Sequence, residues 1–445
     1  MRKCVLLVCL LISLSALFAQ EEPQFYALRE NPPLVPIDMR RPGYWISRHP
    51  APDSLLMTAQ EIELLNRRNF RQGHVGQILE SAPIIQSSYL KRQINSCYSM
   101  AKGSGKYLQD GSPTSSAFWQ NIRHIQNQDA IKRTQNTRYA SPIRYTNQRL
   151  IPYSGILTRE TLDLEFDRIQ NSGFDIGEPI VVYHESRDGK WVFGAGRASS
   201  GWFFKEDLAF LTRQEWLKYL QSKDFAVFSA DKSDLYLDPS RTNYWGMVRM
   251  GTRLPLISEH PGSYELELPN GQRVFCAKNA IHKGFLPYTA RNVYELAFSA
   301  LNAPYGWGDL NAEYDCSGFL KQIFQCFGIY LPRNGTTQYG AGASIHEFSA
   351  ADNPQFRESI IINKALPAQS FLRMPGHIML YLGSVEDKAY VIHSLWGISL
   401  PRENDKDKVI AANKTLVSDL YLSDGSKNKS LLMRISGIGA ISNAK

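Results

Sequence analysis

One cysteine and two histidines, with the patterns around them, are the parts of this sequence from which a nucleophilic site can be assembled. Phe319, Leu320, Ile323, Phe324 and Phe327 follow Cys316 at helical spacing, which sets Cys316 at the N-terminus of a helix with one buried face. There the helix dipole and unpaired backbone N–H groups favour a thiolate, lower the thiol pKa and can hold an oxyanion. A thiol nucleophile needs an imidazole to take its proton, and that imidazole needs a third group to fix its tautomer. His377–Leu382 and Tyr390–His393 are β-type runs joined by the polar loop Ser384–Lys388. A turn centred near Val385 would set His377 directly opposite His393 on one face, with Cβ atoms roughly 5 Å apart. Free cysteines more often fill core, and lone strand histidines are more often structural. The three together point to cysteine-based nucleophilic catalysis.

The other cysteines and histidines offer less. Cys326 lies on the same helix, about 15 Å from Cys316 at 1.5 Å per residue, too far to bridge. Cys97 and Cys276 either pair or stay free. No CxxC or HExxH spacing occurs, so neither a metal centre nor a cofactor is expected. His184, His282 and His346 lack comparable partners and read as ordinary.

The elements that must position the site follow from periodicity. Thr289 caps a helix carrying Val293, Leu296, Ala297, Ala300 and Leu301, and the glycine-rich loop Tyr305–Asp309 separates it from the cysteine helix. Upstream the period is two. Ile180–Tyr183, Trp191–Gly194 and Gly201–Phe204 are strands broken by Asp188-Gly189, and a second such unit is built around Asn270-Gly271, so two small barrels in tandem are expected. Thr58 with Glu61 reads as a capping box in a mostly helical N-terminal segment. The expected partition is a leader over 1–19, the N-terminal segment over 20–153, barrels over 154–224 and 225–288, and a catalytic domain over 289–445, an α+β architecture.

Composition bounds the rest. The 445 residues are 43% hydrophobic and 21% charged with a net charge of +8, which excludes a disordered chain and a disulfide mini-protein. Blocks of basic residues are missing, so nucleic acid is not an expected partner. Arg2 and Lys3, the apolar run Val5–Phe18 and Ala19 form a secretory leader pattern, too short to span a membrane. The mature chain is therefore expected to be exported to the periplasm or cell envelope, without a membrane span.

At these residues the sequence resembles the NlpC family of papain-like cell-wall cysteine peptidases. Val293–Trp396 carries the landmarks Pro304-Tyr305-Gly306-Trp307-Gly308, Asp315-Cys316-Ser317-Gly318-Phe319, Leu331-Pro332-Arg333 with Gln338, Gly376-His377 and His393. Tyr44–Arg48, Pro52-Asp53, Glu61-Ile62 and Asn66 look like the N-terminal stabilising segment that precedes tandem SH3-like barrels. The resemblance implies Cys316 as nucleophile, His377 as general base, His393 as its orienting partner and Tyr305 as an oxyanion stabiliser. It further implies a γ-D-glutamyl-L-diamino acid endopeptidase acting on peptidoglycan peptides with a free L-Ala. Asp315 would meet the substrate ammonium, unless it only caps the helix, and Ser317 and Trp307 would line the substrate. The first barrel would close one end of the groove. Where relatives read Arg-Asp-Ser this chain has Arg333-Asn334-Gly335, so a hydroxyl is missing unless Thr336 or Thr337 replaces it. The competing readings are remodelling of intact wall with the barrels as tethers, and a non-catalytic wall-binding protein.

Overall fold

Hairpins and two short helices build everything that surrounds Cys316. The computed structural model describes residues 35–401 and 407–442; the expected leader lies outside the described residues. Among those described, no helix is long and apolar enough to cross a membrane.

The first barrel is a seven-stranded antiparallel sheet ordered Leu208–Leu211, Arg138–Pro142, Ile180–Glu185, Trp191–Ala195, Ser200–Phe204, Thr146–Arg149 and Gln170–Phe174. Phe174, Val182, Val192 and Phe203 fill its interior. Two of these strands lie before residue 154, so the sheet begins earlier than the expected boundary. Arg138–Pro142 and Thr146–Arg149 are polar and proline-bearing, and lack the alternation that marks a strand by itself. The second barrel is another seven-stranded sheet, from Phe225–Phe228 to Ile281–Lys283. Its Ser263–Glu267 and Arg273–Ala277 hairpin turns through Asn270-Gly271 with Gly271 at φ 83°, a backbone region that costs glycine nothing.

In the last domain, helices Ala290–Ser299 and Cys316–Gln325 pack against a six-stranded antiparallel sheet. Its strand order is Ala343–Glu347, Gly437–Ala440, Ser370–Met374, His377–Val385, Lys388–Leu400 and Lys408–Asp419. Val293, Ala297, Leu320 and Ile323 from the helices meet Phe371, Ile378, Leu380 and Ile392 from the strands in one core. Trp45, Met57, Ile62 and Leu65 of the N-terminal segment belong to that same core. The segment is thus a brace on this domain. Thr58 and Glu61 form the expected capping box, and the buried Asn66 amide binds both Gly328 O and Tyr330 N at 2.8 and 3.0 Å.

A buried ion pair locks both barrels to the cysteine helix. Arg249 of the second barrel grips Asp175 of the first through two bonds of 2.8 and 3.0 Å, and Gln322 of the helix donates to the same carboxylate at 2.5 Å. Both charged side chains are almost wholly buried. Removing one partner strands the other charge in low dielectric. Arg249→Met is therefore expected to destabilise the protein by about 3–5 kcal/mol, read as a lower midpoint in urea unfolding. An unchanged midpoint would show that the pair does not hold the domains together.

Candidate active site

Asp315 makes the helix start where it does. Its carboxylate accepts from the N–H groups of Ser317 and Gly318 at 3.1 and 2.7 Å, so the first helical residue is Cys316, as the apolar spacing predicts. The helix lies across the strands His377–Val385 and Lys388–Leu400. The Ile378 backbone N–H bonds the Cys316 sulfur, which sets the thiol at the start of the strand that begins with His377. That strand start is itself fixed by a tight turn: Met374 pairs with His377 across Pro375-Gly376, with Gly376 at φ 77°.

His377 Nε2 and His393 Nδ1 are 2.7 Å apart, and His393 Nε2 lies 3.2 Å from Ser418 Oγ. Direct opposition of the two histidines does not occur. The hairpin turns through Glu386-Asp387, both at positive φ, so Val385 pairs with Lys388. A bulge between Tyr381 and Gly383 then shifts the register until Leu380 faces Ile392. Continuing that register sets His393 beside Met379, diagonal to His377 on the same face. The imidazoles bridge the longer gap.

The line of three groups fixes the proton positions. His377 can act as a base at Nδ1 only if Nε2 carries hydrogen and donates to His393 Nδ1. His393 must then carry its hydrogen on Nε2, facing Ser418. Burial holds His377 down at about 4, opposed by the Asp315 charge, and lowers His393 further, helped by His377. Both rings rest neutral.

The thiol departs from the expected depression. Burial first, then the charge of Asp315, push Cys316 up to about 12, against the N–H groups of Ile378 and Ser317. The helix N-terminus does not win here because burial of the thiol and the charge of the capping carboxylate both oppose the thiolate.

Asp315 is more committed than a simple cap. Arg333 reaches it with both terminal nitrogens, at 3.1 and 2.6 Å, and Ser317 Oγ and Gly308 N add further bonds at 2.9 and 3.2 Å. Six donors already satisfy this carboxylate, an occupation different from the expected pairing with a substrate ammonium. Ser317 is likewise engaged, donating to Asp315 and accepting from Arg333 Nη1 at 2.9 Å. Gly335 opens a short helix capped by Asn334, and a Cβ there would lie 3.1 Å from Ile378. A serine would crowd the strand beside His377. The Thr337 hydroxyl donates to Asn334 O, so it serves the cap.

Tyr305 lies beside the cysteine on the glycine-rich loop, and Trp307, two residues on, packs edge-on against Phe166 at 5.3 Å. Gly306 N donates to Tyr314 O at 2.9 Å, folding that loop back so that Tyr305 lies alongside Asp315 and Cys316. Burial and those negative neighbours hold its phenol well above its ordinary range, so it remains a donor. The first barrel supports the loop: Gln170 Nε2 donates to Gly308 O at 3.0 Å, the Tyr145 hydroxyl donates to Asp309 O, and Arg333 Nε donates to Ser172 Oγ at 3.1 Å. Ser172 and Tyr145 carry no signal in the sequence, because their partners are distant in the chain. Arg333 and Asp309 stood out only as parts of Leu331-Pro332-Arg333 and of the loop Tyr305–Asp309. Glu185, another carboxylate of the first barrel, is bound by Lys205 and Arg138 at 2.7 and 3.2 Å.

Comparison with known proteins agrees with this geometry. Residues 157–203 match the SH3 domain of the SH3b1 type, and 302–395 match the NlpC/P60 family. A gamma-D-glutamyl-L-lysine dipeptidyl-peptidase of Bacillus cereus is 30% identical over 183 residues, 38% of this chain and 54% of that protein. The enzyme of the same name from Bacillus subtilis is 26% identical over 198 residues, 42% of this chain and 63% of that protein. The chain thus spans less than two thirds of either relative. An NlpC/P60 endopeptidase from Photobacterium damselae subsp. piscicida superimposes with a TM-score of 0.74 over 93% of this chain and 99% of that one, at 21% identity, and so shares the fold. Residues 157–203 of this chain thus match an SH3 domain of the SH3b1 type and residues 302–395 an NlpC/P60 family domain, within an α+β architecture that shares the fold of the Photobacterium endopeptidase.

Proposed function

We propose that this protein is an exported cysteine endopeptidase that hydrolyses the γ-D-glutamyl-L-diamino acid bond of peptidoglycan-derived peptides bearing a free N-terminal L-Ala. The observation that carries the reading is the line Ser418–His393–His377, which ends at the strand start where Cys316, the first residue of its helix, is held. The leader pattern supports export, and the two Bacillus relatives support the bond.

The reaction follows from the resting neutral pair. As sulfur approaches the γ-carbonyl carbon, the thiol proton moves to His377 Nδ1, and the new imidazolium is steadied by His393 and the nearby Asp315. The carbonyl oxygen gains the negative charge. Ser317 and Gly318 N–H are engaged by Asp315, which leaves the Cys316 N–H and the Tyr305 hydroxyl as its donors. The C–N bond breaks, the departing amine takes the proton from His377, and a thioester remains. Water then attacks the thioester, gives a proton to His377, and the proton returns to sulfur as the acid leaves.

Asp315→Asn separates the two roles of that residue. Asn caps a helix about as well as Asp but gives Arg333 no charge. If Asp315 works through the cap and Arg333, kcat/KM falls by similar factors on free and N-acetylated L-Ala substrates. A loss confined to the free-amine substrate assigns Asp315 to the ammonium. Incubation of wild-type protein with L-Ala-γ-D-Glu-L-Lys, with its meso-diaminopimelate analogue and with intact sacculi tests the function directly. Release of L-Ala-γ-D-Glu from the tripeptides supports the proposal, and cleavage of sacculi alone favours wall remodelling.

A further inference from the structure

Among the described residues, one cation beside the active site has no carboxylate partner. Residues 159–169 connect Leu157–Thr158 to Gln170–Phe174, and Asp167 holds this loop rigidly. Its Oδ1 accepts from Leu157 N and Ile169 N, both at 3.2 Å, and its Oδ2 pairs with Arg149 at 2.6 Å with both side chains nearly solvent-free. The backbone of Arg168, the next residue, is anchored with it, its N–H donating to Leu157 O at 2.7 Å.

Its guanidinium lies over two rings, 4.9 Å from the centroid of Trp307 and 5.3 Å from that of Phe166. Phe166 meets Trp307 and Trp396 edge-on at 5.3 and 5.2 Å, and Trp396 is 6.3 Å from Tyr305. These rings form a continuous wall from Arg168 to the tyrosine beside Cys316. Arg149, Arg249 and Arg333, the neighbouring buried arginines, each hold a carboxylate. Among the described residues Arg168 has no carboxylate within 4.0 Å and no side-chain hydrogen bond, and its Nε is buried without a partner. Asp163 and Glu160 act on it through space only, opposed by Arg159, while burial weakens its hold on the proton. Aromatic faces cover the plane of a guanidinium and leave its edge donors free, the arrangement that accepts a carboxylate in a bidentate fork.

We propose that Arg168 is a specificity residue that binds either the α-carboxylate of the substrate's D-glutamyl residue or the second carboxylate of its diamino acid, with Phe166, Trp307 and Trp396 as its platform. The inference rests on the proposed function. A γ-linked D-glutamyl residue keeps a free α-carboxylate, and diaminopimelate carries one carboxylate more than lysine. Either source presents the same chemistry to Arg168.

Four defined tripeptides distinguish them: L-Ala-γ-D-Glu or L-Ala-γ-D-isoglutamine, each followed by L-Lys or meso-diaminopimelate. Arg168→Gln is expected to lose roughly 10–100-fold in kcat/KM on the substrates that carry the recognised carboxylate, and far less where that carboxylate is amidated or missing. Loss that tracks the glutamate/isoglutamine pair assigns the glutamyl carboxylate; loss that tracks the diamino acid assigns the other. Equal loss on all four, or none, overturns the proposal. Arg168→Lys, which keeps the charge without the fork, serves if the glutamine variant unfolds, and is expected to show the same selective loss to a smaller degree. Wild-type protein that cleaves none of the four refutes the proposed function itself, which no Arg168 result can do.

Discussion

Cys316→Ala is expected to abolish hydrolysis while leaving the fold intact. No other sulfur can take over. Cys326 is fully buried in the core on the same helix, and Cys97 and Cys276 are buried in other clusters. Loss of the nucleophile from a catalytic unit of this kind costs on the order of 10⁶ in kcat, below detection in an ordinary assay. The substitution removes one sulfur from a half-buried position and leaves Asp315, Arg333 and the capping bonds in place, so the cost in stability is about 1 kcal/mol. Circular dichroism and the melting temperature check the fold, and product analysis checks the activity. Turnover within about tenfold of wild type in a folded Cys316→Ala protein would contradict the mechanism.

His377→Ala is expected to be the second most damaging change. The thiol, pushed up to about 12 by burial and Asp315, cannot ionise unaided near neutrality, so loss of its base costs roughly 10³–10⁴-fold in kcat/KM. His393→Gln should lose only roughly 10–100-fold, because an amide oxygen can still accept from His377 Nε2 and keep the tautomer. The pH profile carries the same assignment. With His377 held at about 4, its neutral form persists as the pH falls from 6.5, so kcat/KM should decline only near the lower value. A His393→Gln protein as inactive as His377→Ala would contradict the division between base and orienter. An acid limb centred near 6.5 would show that the ring is not held in its neutral form.

Stability follows the same sign. An unfolded histidine takes its proton near 6.5 while folded His377 resists until about 4, so the unfolded chain binds more protons between those values. Stability contributed by the neutral ring is complete above 6.5 and is lost progressively as pH falls toward 4.

The placement of Cys316 at a helix start and of both histidines on one face was legible because each depends on local pattern. Helical periodicity after Cys316 places it at a helix start, and strand patterning puts both histidines on one face. Their offset was not legible. A two-residue turn at Glu386-Asp387 and a bulge near Leu382 alter register without altering the hydrophobic alternation. The thiol's raised pKa escaped for a different reason: it depends first on how deeply tertiary packing buries Cys316 and then on the Asp315 charge beside it, and no periodicity encodes that burial. Polar strands such as Thr146–Arg149 join the first barrel only because neighbours supply their hydrogen bonds. Arg168 reads as one basic residue in a charged loop until Trp307 and Phe166 are found around it.

The most direct test is mass spectrometry of products from L-Ala-γ-D-Glu-L-Lys and L-Ala-γ-D-Glu-meso-diaminopimelate, each with and without an N-acetyl group, incubated with the wild-type protein. The free-amine peptides are expected to yield L-Ala-γ-D-Glu together with the released diamino acid, with much slower cleavage of the acetylated ones. Cleavage at the L-Ala–D-Glu bond, or no cleavage of any of the four, would contradict it.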